Sequence, residues 1–156
     1  MSEIHWWLYM SKYNAKQCEY DGYKFGSEVE MRYYKDLKEL QEAGEICGLE
    51  VHPKYLLQDK FIFMGEKYAK IKYEADFAYY DPEGQAIIVI DVKGMPTESA
   101  KIKRKMFINK WCLNNPDGLC MELRWECEAP RYTGLDWIDY FELIKLRKKR
   151  KKDKNE

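Results

Sequence analysis

The chain predicts an α/β (α+β) domain with helices packed against a central sheet, its elements ordered helix, several strands, helix, strand, helix. Three observations carry that expectation. Apolar residues recur at helical spacing between Ser27 and Gly44, the period falls to two between Ile46 and Lys93, and a helical pattern returns after Gly94-Met95-Pro96. With 156 residues, 46% of them hydrophobic, the chain holds enough apolar material for one core and is too apolar to remain disordered. The domain is expected over residues 25–144, between an irregular arm of residues 1–24 and a basic tail of residues 145–156 that continues the last helix.

Each element has its own signal. Ser27-Glu-Val-Glu30 reads as a helix start with Ser27 as N-cap, and Val29, Tyr33, Leu37 and Leu40 form its apolar stripe up to Gly44. Tyr55 with Leu57, and Phe61 with Phe63, suggest short strands. A longer strand follows, in which Ile71, Tyr73, Ala75, Phe77 and Tyr79 alternate with Lys72, Glu74, Asp76, Ala78 and Tyr80. Asp81-Pro-Glu-Gly84 is a turn, and residues 85–93 return as a strand rich in isoleucine and valine. An amphipathic helix is expected over 98–112, with Ile102, Met106 and Trp111 available to pack. A strand over 119–127 and a last helix over 135–150 complete the order.

Composition narrows the function. The formal net charge is zero, yet residues 145–156 hold eight basic residues against two acidic ones, a net of +6 that leaves −6 on the other 144 residues. A second basic cluster comprises Lys101, Lys103, Arg104, Lys105 and Lys110. Such segregation suits a chain that meets an anionic polymer with one region and holds carboxylates for a metal in another, although a solvated tail and helix face explain the charges equally. Thirteen tyrosines and five tryptophans are expected mainly in the core. Five cysteines without a C-x-x-C pair, and only His5 and His52 beside them, give no zinc pattern and read as free thiols in a reducing compartment. No apolar run reaches membrane-spanning length and no signal sequence is legible, so a cytoplasmic location is expected.

The hairpin carries the residues of chemical interest. If Tyr80 faces Gln85, then Asp76 faces Val89, Asp91 faces Glu74 and Lys93 faces Lys72. Asp91 is then a diagonal neighbour of Asp76 on one face, and alternation adds Lys93 to it while Ile88, Ile90 and Val92 point away. Two carboxylates suit a hard cation such as Mg²⁺, which acidifies a bound water and neutralises charge on a phosphodiester, and a lysine alongside can orient the nucleophile. The pattern alone reads equally as a salt-bridge ladder of Glu74, Asp76, Asp91 and Lys93 on an exposed sheet face. A second D-x-K, Asp36-Leu-Lys38, falls within the first helix and reads as solvated charge. Glu30 either completes a capping box with Ser27 or, lying nearer the buried stripe than Glu28, reaches the site.

The segments Lys12-Tyr-Asn-Ala-Lys16, Tyr20-Asp-Gly22, Phe25-x-Ser27-x-x-Glu30, Gly44-Glu-Ile46 with Pro53, Glu74-Ala-Asp-Phe77, Asp91-Val-Lys-Gly94 and Lys103-Arg-Lys105 resemble a family of small phage and prophage proteins of the PD-(D/E)XK nuclease superfamily. The resemblance spans about Lys12 to Trp111. It implies a restriction-endonuclease-like core, with a central mixed sheet flanked by helices, and an Mg²⁺-dependent endonuclease (Mn²⁺ as substitute). Glu30, Asp76, Asp91 and Lys93 take the family's catalytic positions, and Glu30, Asp76, Asp91 and the backbone carbonyl of Val92 its metal-binding ones. Ala75 stands where the family's proline is usual, and Gly26 and Glu28 where aspartate and lysine are expected. Small phage enzymes of this layout resemble Holliday-junction resolvases acting as homodimers on branched DNA. Lys101, Lys103, Arg104 and Lys105, with Lys148, Lys149 and Arg150 of the tail, would then bind the DNA backbone. A DNA- or partner-binding module without catalysis, and a nuclease for ordinary duplex or single strands, remain open alternatives.

Overall fold

The computed structural model describes residues 16–154. Trp6 and Trp7, and most of the expected irregular arm, lie outside them. The end of the arm is ordered as a hairpin, β1 (Cys18–Tyr20) and β2 (Tyr23–Phe25). Its two-residue turn, Asp21-Gly22, has positive φ at both positions, which is why Asp-Gly is favoured there. The hairpin delivers Phe25 into the core, 1% exposed.

Helix α1 (Glu28–Glu42) begins where Ser27 Oγ accepts the Glu30 N–H at 3.1 Å. Its buried residues are Glu30, Tyr33, Tyr34 and Leu37, so the stripe is rotated slightly from the one read in the sequence and Val29 sits at its margin. Strands β3 (Cys47–Val51), β4 (Lys54–Gln58), β5 (Phe61–Phe63), β6 (Glu66–Tyr68), β7 (Ile71–Glu74), β8 (Phe77–Tyr80) and β9 (Ala86–Val92) follow. Helix α2 (Glu98–Phe107), capped by Thr97, continues as a π-helical stretch over Ile108–Leu113. Then come β10 (Cys120–Glu128), β11 (Trp137–Asp139) and α3 (Tyr140–Asp153).

The result is a mixed α+β domain. Its central five-stranded sheet has the order β11-β10-β9-β8-β3, with β10 parallel to β9 and the other neighbours antiparallel. The parallel pair is joined through α2, as such a pair requires a crossover. Alternation along β9 divides the core. Ile88 and Ile90 pack with Phe25, Tyr33, Tyr34, Leu37 and Phe77 on the α1 face. Val89 packs with Tyr73, Ala78, Phe107, Leu123 and Trp125 on the α2 face. Both clusters are rich in aromatics, among them the stacked Tyr33–Phe77 pair at 5.9 Å. Phe107, fully buried beside Tyr55 and Tyr73, anchors α2, so Phe107→Ala is expected to lower unfolding free energy by about 3–5 kcal/mol in urea denaturation.

Four further expectations are corrected. The strand read as continuous over Ile71–Tyr80 breaks at Ala75-Asp76, where β7 leaves to pair with β4 and β8 stays in the main sheet. The register places Tyr80 opposite Ile87, not Gln85, because the Asp81 side chain holds the N–H groups of Gln85 and Ala86 inside the loop. Residues 135–139 are not helical: Trp137–Asp139 pairs with β10, the Trp137 Nε1 donates to Asp36 at 2.6 Å, and Asp139 caps α3 by accepting from Phe141 and Glu142. On α2, Ile102 is 58% exposed and Phe107 takes the packing position instead. No helix among the described residues is long and apolar enough to cross a membrane.

Candidate active site at the bend of the ribbon

Strands β3–β4 and β7–β8 form one two-stranded ribbon that bends as it leaves the sheet. At the bend the His52 N–H donates to the Asp76 carbonyl at 2.8 Å, and the Ala75 N–H donates to the Pro53 carbonyl at 3.1 Å. His52 adopts a left-handed φ of 53°, an unfavoured conformation for a residue with a side chain. The bend also changes which residues face which layer. Tyr73 and Ala75 pack on the α2 side, whereas Phe77, the next odd-numbered residue, packs on the α1 side. Asp76 sits at that switch, between the two layers.

The Asp76 N–H donates to the Ile90 carbonyl, and continuing the β8–β9 register sets Asp76 across from Asp91. The pair is therefore directly opposed, not diagonal. A shift of two residues preserves each side chain's face, which is why the expected convergence survives an incorrect register. Asp76 Oδ2 accepts the Val92 N–H at 2.6 Å. Asp91, 3% exposed, accepts the Tyr73 hydroxyl through Oδ2 at 2.5 Å and pairs through Oδ1 with Lys93 Nζ at 2.7 Å. The Tyr73 hydroxyl in turn accepts the Trp125 Nε1–H at 2.9 Å.

Glu30 reaches this site from α1. Its Oε2 accepts the Gly26 N–H at 3.0 Å and its Oε1 lies 2.9 Å from His52 Nε2. Only the serine half of the expected capping box forms; the carboxylate turns inward, while Glu28 is exposed. Gly26 leaves room for this arrangement, since a Cβ there would lie 3.2 Å from Glu30 Oε2. Ligand atoms of Glu30, His52 and Asp76 all lie within 4.8 Å of one another. Glu74, the remaining member of the salt-bridge reading, points elsewhere and pairs with Lys54 at 3.5 Å.

The electrostatics are strained in one sense. Burial, reinforced by the negative fields of Asp91 and Glu30, pushes the Asp76 carboxyl well above the usual carboxylate range, with the Val92 N–H opposing. Burial and the neighbouring Asp91 also push the Tyr73 phenol upward, so it stays a neutral donor to Asp91. Three carboxylates thus share a half-enclosed site with the ammonium of Lys93 and the imidazole of His52. Oxygens of Glu30 and Asp76 and the imidazole nitrogen of His52 lie close enough to hold one cation together, with Asp91 alongside.

The remaining candidates separate by location. Lys103 joins Lys70, Lys72, Tyr73, Glu74, Asp91 and Lys93 around an open cleft of about 580 Å³. Lys101 pairs with Glu98 at 2.7 Å, and Lys105 is exposed. Arg104 turns inward, its guanidinium 5.2 Å from the Trp125 ring centre and 4.6 Å from that of Phe141. Lys148, Lys149 and Arg150 are exposed on α3, with Arg150 over the Tyr132 ring at 4.0 Å, and none of the three lines the cleft. Asp36 and Lys38, the second D-x-K, are engaged with Trp137 and Asp21 away from the carboxylates. All five cysteines are free.

Sequence reasoning missed His52, Tyr73 and Trp125. In the sequence His52 stands out only beside cysteines that form no zinc pattern, although a histidine preceding a proline between two strands marks a bend. Tyr73 was read as a core residue by alternation, which it is, but alternation does not reveal what its hydroxyl meets.

A family model described as "Protein of unknown function (DUF1064)" matches residues 10–134, and the chain belongs to that family. The match takes in the whole carboxylate site and ends before β11 and α3. Neither the curated proteins nor the solved structures contain a match to the chain.

Proposed function

We propose that this DUF1064 protein is a metal-dependent endodeoxyribonuclease of the PD-(D/E)XK type, acting on branched DNA as a Holliday-junction resolvase or related structure-specific enzyme. One observation carries the reading: Glu30 from α1, Asp76 from the bend and the Asp91–Lys93 pair from the end of β9 converge at one end of the sheet, with Lys93 on Asp91. An exposed salt-bridge ladder predicts none of this burial. The order α1, β3, β8, β9, α2, β10 adds support, since it is the helix, three strands, helix, strand sequence of that superfamily.

Asp76, Asp91 and Glu30, with His52, would hold the cation, and the Val92 backbone lies beside them. A bound Mg²⁺ or Mn²⁺ supplies charge neutralisation at the phosphodiester and a more acidic water. The chain's own residues do the rest. Tyr73 fixes the orientation of Asp91, and the Val92 N–H fixes that of Asp76. Lys93, half-buried and open to the cleft, orients the attacking water and offsets negative charge as the new P–O bond forms and the ester P–O bond breaks. The basic residues of α2 and α3 supply affinity without sequence preference. A homodimer would match the two scissile strands of a junction.

Cleavage of a synthetic four-way junction, beside duplex, single-stranded and flap controls in Mg²⁺, Mn²⁺ or EDTA, tests the proposal. Paired nicks in the junction with either metal, and none in EDTA, are expected. Metal-dependent cutting of every substrate would keep the nuclease and remove the junction assignment. Junction binding without cutting in any metal would leave a DNA-binding module in its place.

A further inference from the structure

The bent ribbon β4–β7 leads away from the carboxylates and ends in the β5–β6 hairpin, all six strand residues of which are exposed. Its apolar side chains are unusual for a solvated tip: Ile62 is 69% exposed, Phe63 60% and Met64 87%, and the parallel Phe61–Tyr68 pair, 4.7 Å apart, stands open beside them. Met64 and Gly65 form the turn with φ of 48° and 82°. Asparagine, aspartate or glycine suits the first of those positions, so a methionine there is exposed, apolar and conformationally disfavoured together. Nothing in the fold of the domain requires it.

The base of the ribbon has the opposite character. Four lysines, Lys70, Lys72, Lys93 and Lys103, line the cleft that contains Asp91, against the carboxylates of Glu74 and Asp91 alone. Lys70 is two residues from the end of β6, so the basic path runs from the reacting centre to the foot of the apolar hairpin. A basic channel ending in exposed aromatic and apolar side chains fits a strand whose phosphates follow the lysines and whose bases are uncovered. A second copy of the chain fits less well. The lysines beside the tip would meet each other across a two-fold axis, like charge against like.

We propose that the Lys70–Lys72–Lys103 cleft carries the DNA backbone away from the carboxylate site and that the Ile62-Phe63-Met64 tip wedges against unpaired bases, making the hairpin the element that selects branch points over continuous duplex. This rests on the nuclease reading for its substrate class, but its test is independent of cleavage. Binding of the full chain to a fluorescent four-way junction and to a duplex is measured by anisotropy in Ca²⁺ across a salt series, with 2-aminopurine at the junction centre reporting unstacking. Lys70→Ala/Lys72→Ala is expected to weaken binding to both DNAs by about tenfold and to reduce the salt slope by about two. Ile62→Ser/Met64→Asn, which gives the turn a residue it favours, is expected to leave duplex binding and the salt slope unchanged. The same variant should lose at least about tenfold of the junction preference and the 2-aminopurine signal. Wild-type binding by both variants would overturn the proposal, and so would conversion of a dimer to a monomer by the tip variant in sedimentation velocity. Loss of cleavage with these binding patterns intact would count against the nuclease reading alone.

Discussion

Asp91→Asn is expected to reduce the single-turnover rate of junction cleavage in Mg²⁺ by at least about 10³-fold while leaving the fold and DNA affinity nearly unchanged. The replacement is close to isosteric. An asparagine carbonyl still accepts the Tyr73 hydroxyl, so the Trp125–Tyr73 chain behind it persists. What disappears is the negative charge that the proposed cation site would share with Lys93 Nζ, 2.7 Å away. Lys93→Ala should cost a similar factor for a different reason. It removes the cation that faces the open cleft, and Mn²⁺ should not restore the rate, because the missing group is not a metal ligand. Circular dichroism and anisotropy in Ca²⁺ provide the controls. Cleavage by either variant within tenfold of wild type would remove these residues from the reaction.

Asp76→Asn is expected to move stability in opposite directions depending on whether metal is present. Without metal, the half-buried Asp76 carboxylate lies against the buried Asp91 and Glu30, and its pKa is raised by that environment. The protonated form is thus the one the fold accommodates. Its stabilising contribution is complete below the ordinary carboxylate range and is lost as pH rises through the shifted value. Above the ordinary carboxylate range the cost of ionising this carboxyl opposes folding, and asparagine, which can still accept the Val92 N–H, relieves that opposition. In EDTA at pH 7 the variant should melt several degrees higher than wild type. Wild type should also gain stability in EDTA as pH is lowered from 7 towards 5, and the variant should gain less. With millimolar Mg²⁺ or Mn²⁺ the order should reverse, because wild type gains binding free energy, about 2.7 kcal/mol at a hundredfold excess over Kd, and the variant does not. A differential scanning calorimetry series with both metals reads this directly. Equal melting temperatures in EDTA, or equal metal-induced shifts, would show that Asp76 is neither strained without a cation nor relieved by one.

Both results depend on a site whose ingredients are distributed unevenly between sequence and structure. The alternation of residues 86–93 is sufficient to put Asp91 and Lys93 on one face and Ile88, Ile90 and Val92 on the other, because the side-chain period of a strand is a local property of the backbone. The α1 start is equally local: Ser27 caps Glu30 within a single turn. The expected placement of Asp76 beside Asp91 survives an incorrect register, since the error is an even number of residues and leaves every side chain on its own face. The continuity of the strand through Ala75-Asp76 was misread. Alternation there continues smoothly in the sequence, and the break exists because a second chain segment, His52-Pro53, bonds across it.

The sequence by itself determined which chemical groups are available, the order of the three helices and of the strands β9 and β10 among them, and the placing of Asp91 and Lys93 on one face at the end of one strand. Tertiary structure decided that Glu30 turns away from its own helix cap toward a histidine 22 residues further on, that His52 enters the site at all, and that Arg104 packs on Trp125 and Phe141 while Lys70 and Lys72 face the cleft. Periodicity reports the face a residue occupies within its own element. Which elements meet at the bend, and which charges they bring there, follows from backbone hydrogen bonds between segments far apart in the chain, and no local pattern encodes those.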